Sequence, residues 1–148
     1  MNAPHDTAAA ALYDRVDASF QRQGMMRHLD ARLLRVEAGL CEIALPFSER
    51  VAQQQGGVHG GAMGALADIA AGYAGLTQAP EGMEVTTVEY KINFLAAFQG
   101  GELRATGKVL KAGRRLIVTT AEVLHVQDGK TSLCATMQQT LMAVPKTY

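Results

Sequence analysis

The sequence has few cysteines, few aromatic residues and no excess of either charge. Its two cysteines, Cys41 and Cys134, lie far apart and outside any CxxC pattern, which argues against a zinc site or a disulfide framework and predicts two reduced core thiols. Fourteen Lys and Arg balance fourteen Asp and Glu, and aromatic residues make up only 5% of the chain. Such a chain offers no basic field for nucleic acid or an anionic membrane, so we expect neither as a partner.

Long apolar runs are missing as well. No stretch reaches the about 18 consecutive apolar residues that a membrane-spanning helix needs. The N-terminus carries Asp6, Asp14 and Asp17, and it lacks the basic start and apolar run of a secretory signal. We therefore predict a cytoplasmic protein. The 148 residues fit one domain, which would bury roughly 70% of the surface that the unfolded chain exposes.

Apolar spacing predicts a covering helix over 8–23 and a strand or bent hairpin over 32–46, followed by a polar loop over 48–58. Four later segments alternate apolar and polar residues as strands do, with short Gly-containing turns between them that imply antiparallel neighbours. These segments are 84–95, 102–110, 115–126 and 131–144. The clearest alternation is in 84–95, which we predict to be half buried. The fold class is therefore α+β, with an antiparallel sheet of about five strands.

The rest of the chain is organised around residues 53–75, QQQGGVHGGAMGALADIAAGYAG. Between Gly60 and Pro80 the only charged side chain is Asp68, and no Lys or Arg is near it in sequence. Such a carboxylate either faces water at an exposed edge of a tight core helix or carries a desolvation cost that something must offset. Ala and Gly dominate this helix, and each interior Gly costs about 0.5 to 1 kcal/mol relative to Ala. We expect another part of the protein to approach this backbone closely, as a curved sheet wrapped around the helix would.

At this point the sequence resembles a known family. The matching residues are Gln53, His59-Gly60-Gly61, Asp68 in its Ala-rich helix, the strand Thr87 to Leu95, Gly107-Lys108-Val109 and Gly113-Arg114-Arg115. Over residues 30–144 the series resembles hotdog-fold acyl-CoA thioesterases, most closely the PaaI-like and 4-hydroxybenzoyl-CoA thioesterase branch. The resemblance implies a hotdog core over 31–144, with a long central helix wrapped by the sheet, and a helical extension over 1–30.

The resemblance also implies roles for individual residues. Asp68 would attack the thioester carbonyl or activate water, and the Gly60 N–H at the helix start would polarise the carbonyl oxygen, as unpaired helix N-terminal amides can. Gln53 and His59 would orient the thioester or the water, although His59 could equally cap the helix. Thr87 would hold the water or the acid, or else face outward. Relatives often have Glu in place of Asp68, which leaves open whether attack is direct or through water.

Other matched residues would bind the substrate. They are Gly61, Met63, Lys111, Gly113, Arg114 and Arg115, the last four at a turn whose cations would meet the phosphates of coenzyme A or remain solvated. The acyl pocket would form near Met63, Leu66, Tyr73, Phe94 and Phe98. No metal and no cofactor are expected, since coenzyme A is part of the substrate.

The spacing of Gly60 and Asp68 predicts an oligomer. They are eight residues apart, about 12 Å along one helix, which is too far for both to touch one carbonyl. If both residues act, a second subunit must bring its helix alongside, giving two shared sites per two-fold homodimer. The resemblance implies such a dimer, and often a further pairing of dimers.

Two other functions stay open at this point. A hotdog dehydratase would act on acyl thioesters through a His and an acid, but the HGGAMG segment lacks the proline usual beside that His. A non-catalytic acyl-CoA-binding module would use Asp68 only structurally. The favoured hypothesis is an acyl-CoA thioesterase for aryl- or medium-chain acyl groups.

Overall fold

The chain folds as one antiparallel sheet against a long helix. A computed structural model describes residues 4–148, with side chains from Thr7 onward. In chain order its elements are α1 (Pro4–Phe20), α2 (Gly24–His28), β1 (Arg32–Glu37), β2 (Leu40–Pro46), a 3-10 turn (Glu49–Val51), α3 (Gly60–Leu76), β3 (Met83–Phe94), β4 (Glu102–Ala112), β5 (Leu116–Gln127) and β6 (Lys130–Pro145). Within residues 4–148, no helix combines the length and the apolar character needed to cross a membrane.

The strand order is β1-β2-β4-β5-β6-β3, and every neighbouring pair is antiparallel. The sheet has six strands rather than about five because residues 32–46 form two of them, joined by a turn at Gly39 with φ of 78°. Asp128 and Gly129 both have positive φ in the tight turn between β5 and β6, as such hairpins require. The predicted α+β architecture, a long helix against an antiparallel sheet, is confirmed.

The covering helix is shifted from its predicted range. It spans Pro4–Phe20 rather than 8–23, and the short helix α2 follows as a separate element. Its inner face contains Val16 and Phe20, which are both buried. Arg15 anchors it, because the guanidinium donates hydrogen bonds to the carbonyls of Ala79, Pro80 and Met83 at 3.0–3.1 Å. The C-terminal end of α1 is thereby held beside the segment that leaves α3.

Both cysteines are free thiols in the core, as predicted. They lie on β2 and β6, which β4 and β5 separate in the sheet, so their side chains cannot form a disulfide. Burial raises the pKa of Cys41 to about 12 and also raises that of Cys134. Both therefore stay protonated and unreactive at neutral pH.

The small residues of α3 allow the close approach that the sequence predicts. A Cβ added to Gly107 on β4 would lie 2.2 Å from the Ala70 carbonyl oxygen of α3, an overlap of backbone that no side-chain motion relieves. On α3 itself, a Cβ on Gly75 would lie 2.3 Å from Leu141 Cδ1 of β6. The sheet therefore touches the helix backbone directly, and the glycines permit this contact.

Gly107→Ala is expected to destabilise the fold by about 1 to 3 kcal/mol or more, because the added methyl overlaps the backbone of α3. Gly24→Ala is the control. Its Cβ would meet only Arg27 Nη2, at 3.8 Å, so its stability should change by less than about 0.5 kcal/mol. Urea unfolding of both variants at one protein concentration measures the difference. Equal stability of the two would contradict this packing.

The strand with the clearest alternation is not half buried. β3 lies at one edge of the sheet, and its residues 86–91 are all exposed. The prediction is wrong for the single chain because β3, as an edge strand, has a neighbouring strand on one side only. Its apolar side chains Val88, Tyr90 and Phe94 are 57%, 47% and 53% exposed. A long, unpaired edge with exposed apolar groups is a surface that proteins normally cover.

Candidate active site

Asp68 lies on α3, half-buried, with its carboxylate between β3 and β6. Thr87 Oγ1 donates a hydrogen bond of 2.7 Å to Asp68 Oδ1, and the Gln139 side-chain amide donates to the same oxygen. Gln139 Nε2 also lies 2.9 Å from Thr87 Oγ1. None of the ion pairs within the described residues includes Asp68. Neutral donors, not a cation, therefore offset its desolvation.

The predicted contact between Thr87 and Asp68 is present, but sequence reasoning missed Gln139. Gln139 is only 1% exposed and follows the inward phase of β6, in which Ala135, Met137 and Leu141 are buried. The available signal was a polar residue at a strand position where the alternation otherwise places buried apolar residues. A buried amide at such a position must find hydrogen-bond partners. Its position cannot be connected to Asp68 without the packing of α3 against β6.

A cavity of about 90 Å³ opens beside the carboxylate. Asp68, Gly72 and Thr87 line it, and further residues come from the end of α1 and the turn after it, from α3, β3 and β6. These are Ser19, Gln23, Ile69, Tyr73, Glu84, Val85 and Leu141. The cavity is therefore apolar in part and polar at its α1 end, and the covering helix supplies one of its walls.

Hydrogen bonds join α1 to α3 at this wall. Gln23 Nε2 donates to Tyr73 Oη at 2.8 Å, and Tyr73 Oη donates to Ser19 Oγ at 3.2 Å. Burial raises the pKa of Tyr73 to about 12, although the hydrogen bonds with Ser19 and Gln23 act against that rise. The phenol consequently stays protonated and remains a donor. Glu84 adds a carboxylate to this wall, and its Oε1 accepts a hydrogen bond of 2.5 Å from Tyr148 Oη.

The start of α3 leaves one amide available. His59 is the N-cap, and its Nδ1 accepts a hydrogen bond from the Gly61 N–H at 2.8 Å. The next two amides, of Ala62 and Met63, both donate to the His59 carbonyl. Over residues 4–148, no acceptor meets the Gly60 N–H. The capping alternative for His59 thus holds, and the free donor is the amide that the resemblance selects.

A second cavity, of about 350 Å³, surrounds this amide. Its lining includes Gln53, Gly60, Met63 and Phe94, together with Val58 and residues 95–97. Gln53 Oε1 accepts from the Gln55 N–H, so the side chain is tied to its own loop. Neither Asp68 nor Thr87 lines this cavity. The chain therefore divides the predicted catalytic residues into two groups, one around Gly60 and one around Asp68, and these two residues are about 12 Å apart along α3.

The remaining predicted residues fall in different places. Leu66 lines neither of the two cavities and is fully buried in the core. Phe98 stacks on His125 with ring centroids 4.2 Å apart. Lys111, Gly113, Arg114 and Arg115 are exposed around the β4–β5 turn. Lys111, Arg114 and Arg115 take part in none of the ion pairs among the side chains described from Thr7 onward. Their role toward phosphate stays a prediction.

Two groups on α3 carry the chemistry that the site offers. Among the side chains described from Thr7 onward, no group of three or more His, Cys, Asp or Glu is placed to hold a metal ion. What the residues present is a carboxylate at one position of α3 and an unpaired backbone amide at its start. A carboxylate can act as nucleophile or base, and such an amide can bind a developing oxyanion.

The thioesterase superfamily profile matches residues 55–132, more than half of the chain. The chain belongs to the thioesterase superfamily. The match includes Gly60, Asp68, Thr87 and the basic turn, and it ends before Gln139. The enzyme is therefore placed in the class of thioester hydrolases.

Individual proteins agree with this placement. The enzyme is 32% identical over 112 residues to the proofreading thioesterase EntH of Klebsiella pneumoniae, covering 76% of this chain and 80% of that protein. A thioesterase family protein of Silicibacter pomeroyi has a similar crystal structure, with a TM-score of 0.88, 36% identity, and coverage of 91% of this chain and 99% of that one. The E. coli PaaI protein from the phenylacetic acid degradation operon shares the fold at a TM-score of 0.83 and 22% identity, covering 95% and 98%. The hotdog fold expected from the resemblance is confirmed.

Proposed function

We propose that the enzyme hydrolyses aryl- or medium-chain acyl-CoA thioesters at two sites, each shared between the chains of a homodimer. One observation carries the proposal: a single helix presents a hydrogen-bonded carboxylate and an unpaired amide in separate cavities. Each group is half of a hydrolytic site. A second antiparallel copy of α3 would bring the two halves together.

The chemistry follows from the two groups. The Gly60 N–H of one chain would donate to the thioester carbonyl oxygen as negative charge develops there. Asp68 of the other chain would either attack the carbonyl carbon, giving an acyl anhydride that water then hydrolyses, or take a proton from an attacking water. In both routes the C–S bond breaks and coenzyme A leaves as the thiolate. The products are the free acid and coenzyme A.

The bare edge of β3 supports the dimer. Its exposed Val88, Tyr90 and Phe94 would be covered if β3 paired with β3 of a second copy, and the backbone groups of its free edge would also be satisfied. Gly61, Ala65 and Gly72 leave little bulk on the uncovered side of α3, so a second helix has room to approach. Further pairing of dimers stays a prediction.

The cavity beside Asp68 supports the substrate class. Its small volume and mixed lining suit an aryl group better than a long acyl chain. We place the phosphates of coenzyme A near Lys111, Arg114 and Arg115, whose exposed cations surround the β4–β5 turn. Gly113 would leave the turn backbone accessible there.

Thiol release from a small panel of aryl, medium-chain and long-chain acyl-CoAs tests the proposal. Release from aryl or medium-chain members, with little from long chains, is the expected result. Tight binding without thiol release would instead show an acyl-CoA-binding module. An enoyl product from a 3-hydroxyacyl-CoA, with the thioester intact, would show a dehydratase.

A further inference from the structure

Gln139 makes hydrogen bonds that the packing of apolar side chains does not require. It is buried among apolar neighbours on β6, and its Nε2 reaches the Asp68 carboxylate, the Asp68 carbonyl oxygen at 3.4 Å and Thr87 Oγ1 at 2.9 Å. At the other end, Thr119 Oγ1 donates to Gln139 Oε1 at 3.2 Å. Thr119 is also fully buried. One amide thus links β5, β6, β3 and α3 at the predicted catalytic acid.

The orientation of this amide is set by its partners. The carboxylate and the carbonyl of Asp68 can only accept, so the NH₂ group must face them. The Thr119 hydroxyl, at the opposite end, donates to the amide oxygen. A flipped amide would set its oxygen against a carboxylate. Thr119 and Gln139 therefore form a fixed donor in the core, aimed at Asp68.

Both donors reach the same carboxylate oxygen. The Thr87 hydroxyl and the Gln139 amide each bind Asp68 Oδ1, whereas no donor among the side chains described from Thr7 onward binds Oδ2. Rotating the carboxylate would break both hydrogen bonds. We propose that Gln139, held by Thr119, is a positioning residue that keeps Oδ1 engaged and presents Oδ2 as the reacting oxygen. This inference rests on the proposed function of the site.

The test is Gln139→Met, which keeps the length and volume of the side chain but removes the donor. We expect kcat for thiol release to fall about 10- to 100-fold with KM within about twofold, since the acid is mispositioned while the substrate cavity is retained. Gln138→Met is the matched control, because the adjacent glutamine is exposed and lies on the other face of β6. It should behave as wild type.

Gln139→Glu gives a readout that a purely structural role would not move. A protonated Glu can donate to Oδ1 as the amide does, but an ionised one repels Asp68. The variant should therefore be active at acidic pH and lose its activity as the pH rises through neutrality. The wild type should stay active over the same pH range. Thr119→Val has nearly the same shape and should also lower kcat, by a smaller factor than Gln139→Met. It tests the same role if Gln139→Met does not fold.

The outcomes separate this inference from the proposed function. If wild type releases thiol and Asp68→Asn does not, yet Gln139→Met keeps full kcat, the positioning role is wrong and the proposed function stands. A Gln139→Glu profile parallel to that of wild type would overturn it as well. If wild type releases no thiol from any acyl-CoA tested, the proposed function fails first.

Discussion

Asp68→Asn is expected to lower thioester hydrolysis by about 10² or more while the protein stays folded. The variant keeps the size of the side chain, and its amide oxygen can still accept hydrogen bonds from Thr87 and Gln139. It removes the negative charge, which both the nucleophilic and the general-base routes need. The expected signature is a fall in kcat for thiol release with unchanged urea unfolding.

The control for that variant is Asp128→Asn. Asp128 is exposed in the β5–β6 turn with φ of 51°, a conformation that Asn adopts readily. Its hydrolysis and stability should both match wild type. If Asp68→Asn retained most of its activity, the carboxylate would be neither the nucleophile nor the general base.

Gly60→Pro is expected to lower kcat by about 10² to 10³, because it deletes the amide proposed to bind the oxyanion. Gly60 is the first residue of α3, where Pro is well tolerated because its missing N–H is unpaired in any helix. The preceding residue, His59, has φ of −68° and ψ of 132°, the region that a residue before Pro prefers. The backbone can therefore accept this substitution without rearrangement.

Gly60→Ala separates the effect of losing the amide N–H from the effect of adding a side chain. A Cβ at this position would lie 3.3 Å from the exposed Phe94 ring, a contact that both variants share and that Phe94 can relieve by moving. Ala keeps the N–H, so it should hold most of the wild-type kcat. Equal losses in the two variants would show that bulk, not the hydrogen bond, matters at Gly60.

Local patterns were enough to predict the elements and the lone acid. Alternation located the four long strands, and the scarcity of side-chain volume in α3 predicted the contact later seen between Gly107 and Ala70. The resemblance pointed to Asp68 and Thr87, which the structure joins at 2.7 Å. These predictions succeeded because each depends on neighbouring residues or on a motif.

The rest depended on contacts between distant parts of the chain. Gln139 is 71 residues from Asp68 and reaches it only because α3 packs against β6. The exposure of β3 follows from the strand order, which alternation within one segment does not contain. The wall that Ser19 and Gln23 of the N-terminal region give to the cavity likewise depends on where α1 packs.

Activity of mixed subunits tests the shared site most directly. In a hybrid dimer of an Asp68→Asn chain and a Gly60→Pro chain, one site carries both defects and the other combines an intact Gly60 amide with an intact Asp68. Random assembly gives about half hybrid dimers, so mixing the unfolded chains and refolding them together should restore up to about a quarter of wild-type activity. If each chain held a complete site, the mixture would show only the average of the two inactive variants, and the account would be contradicted.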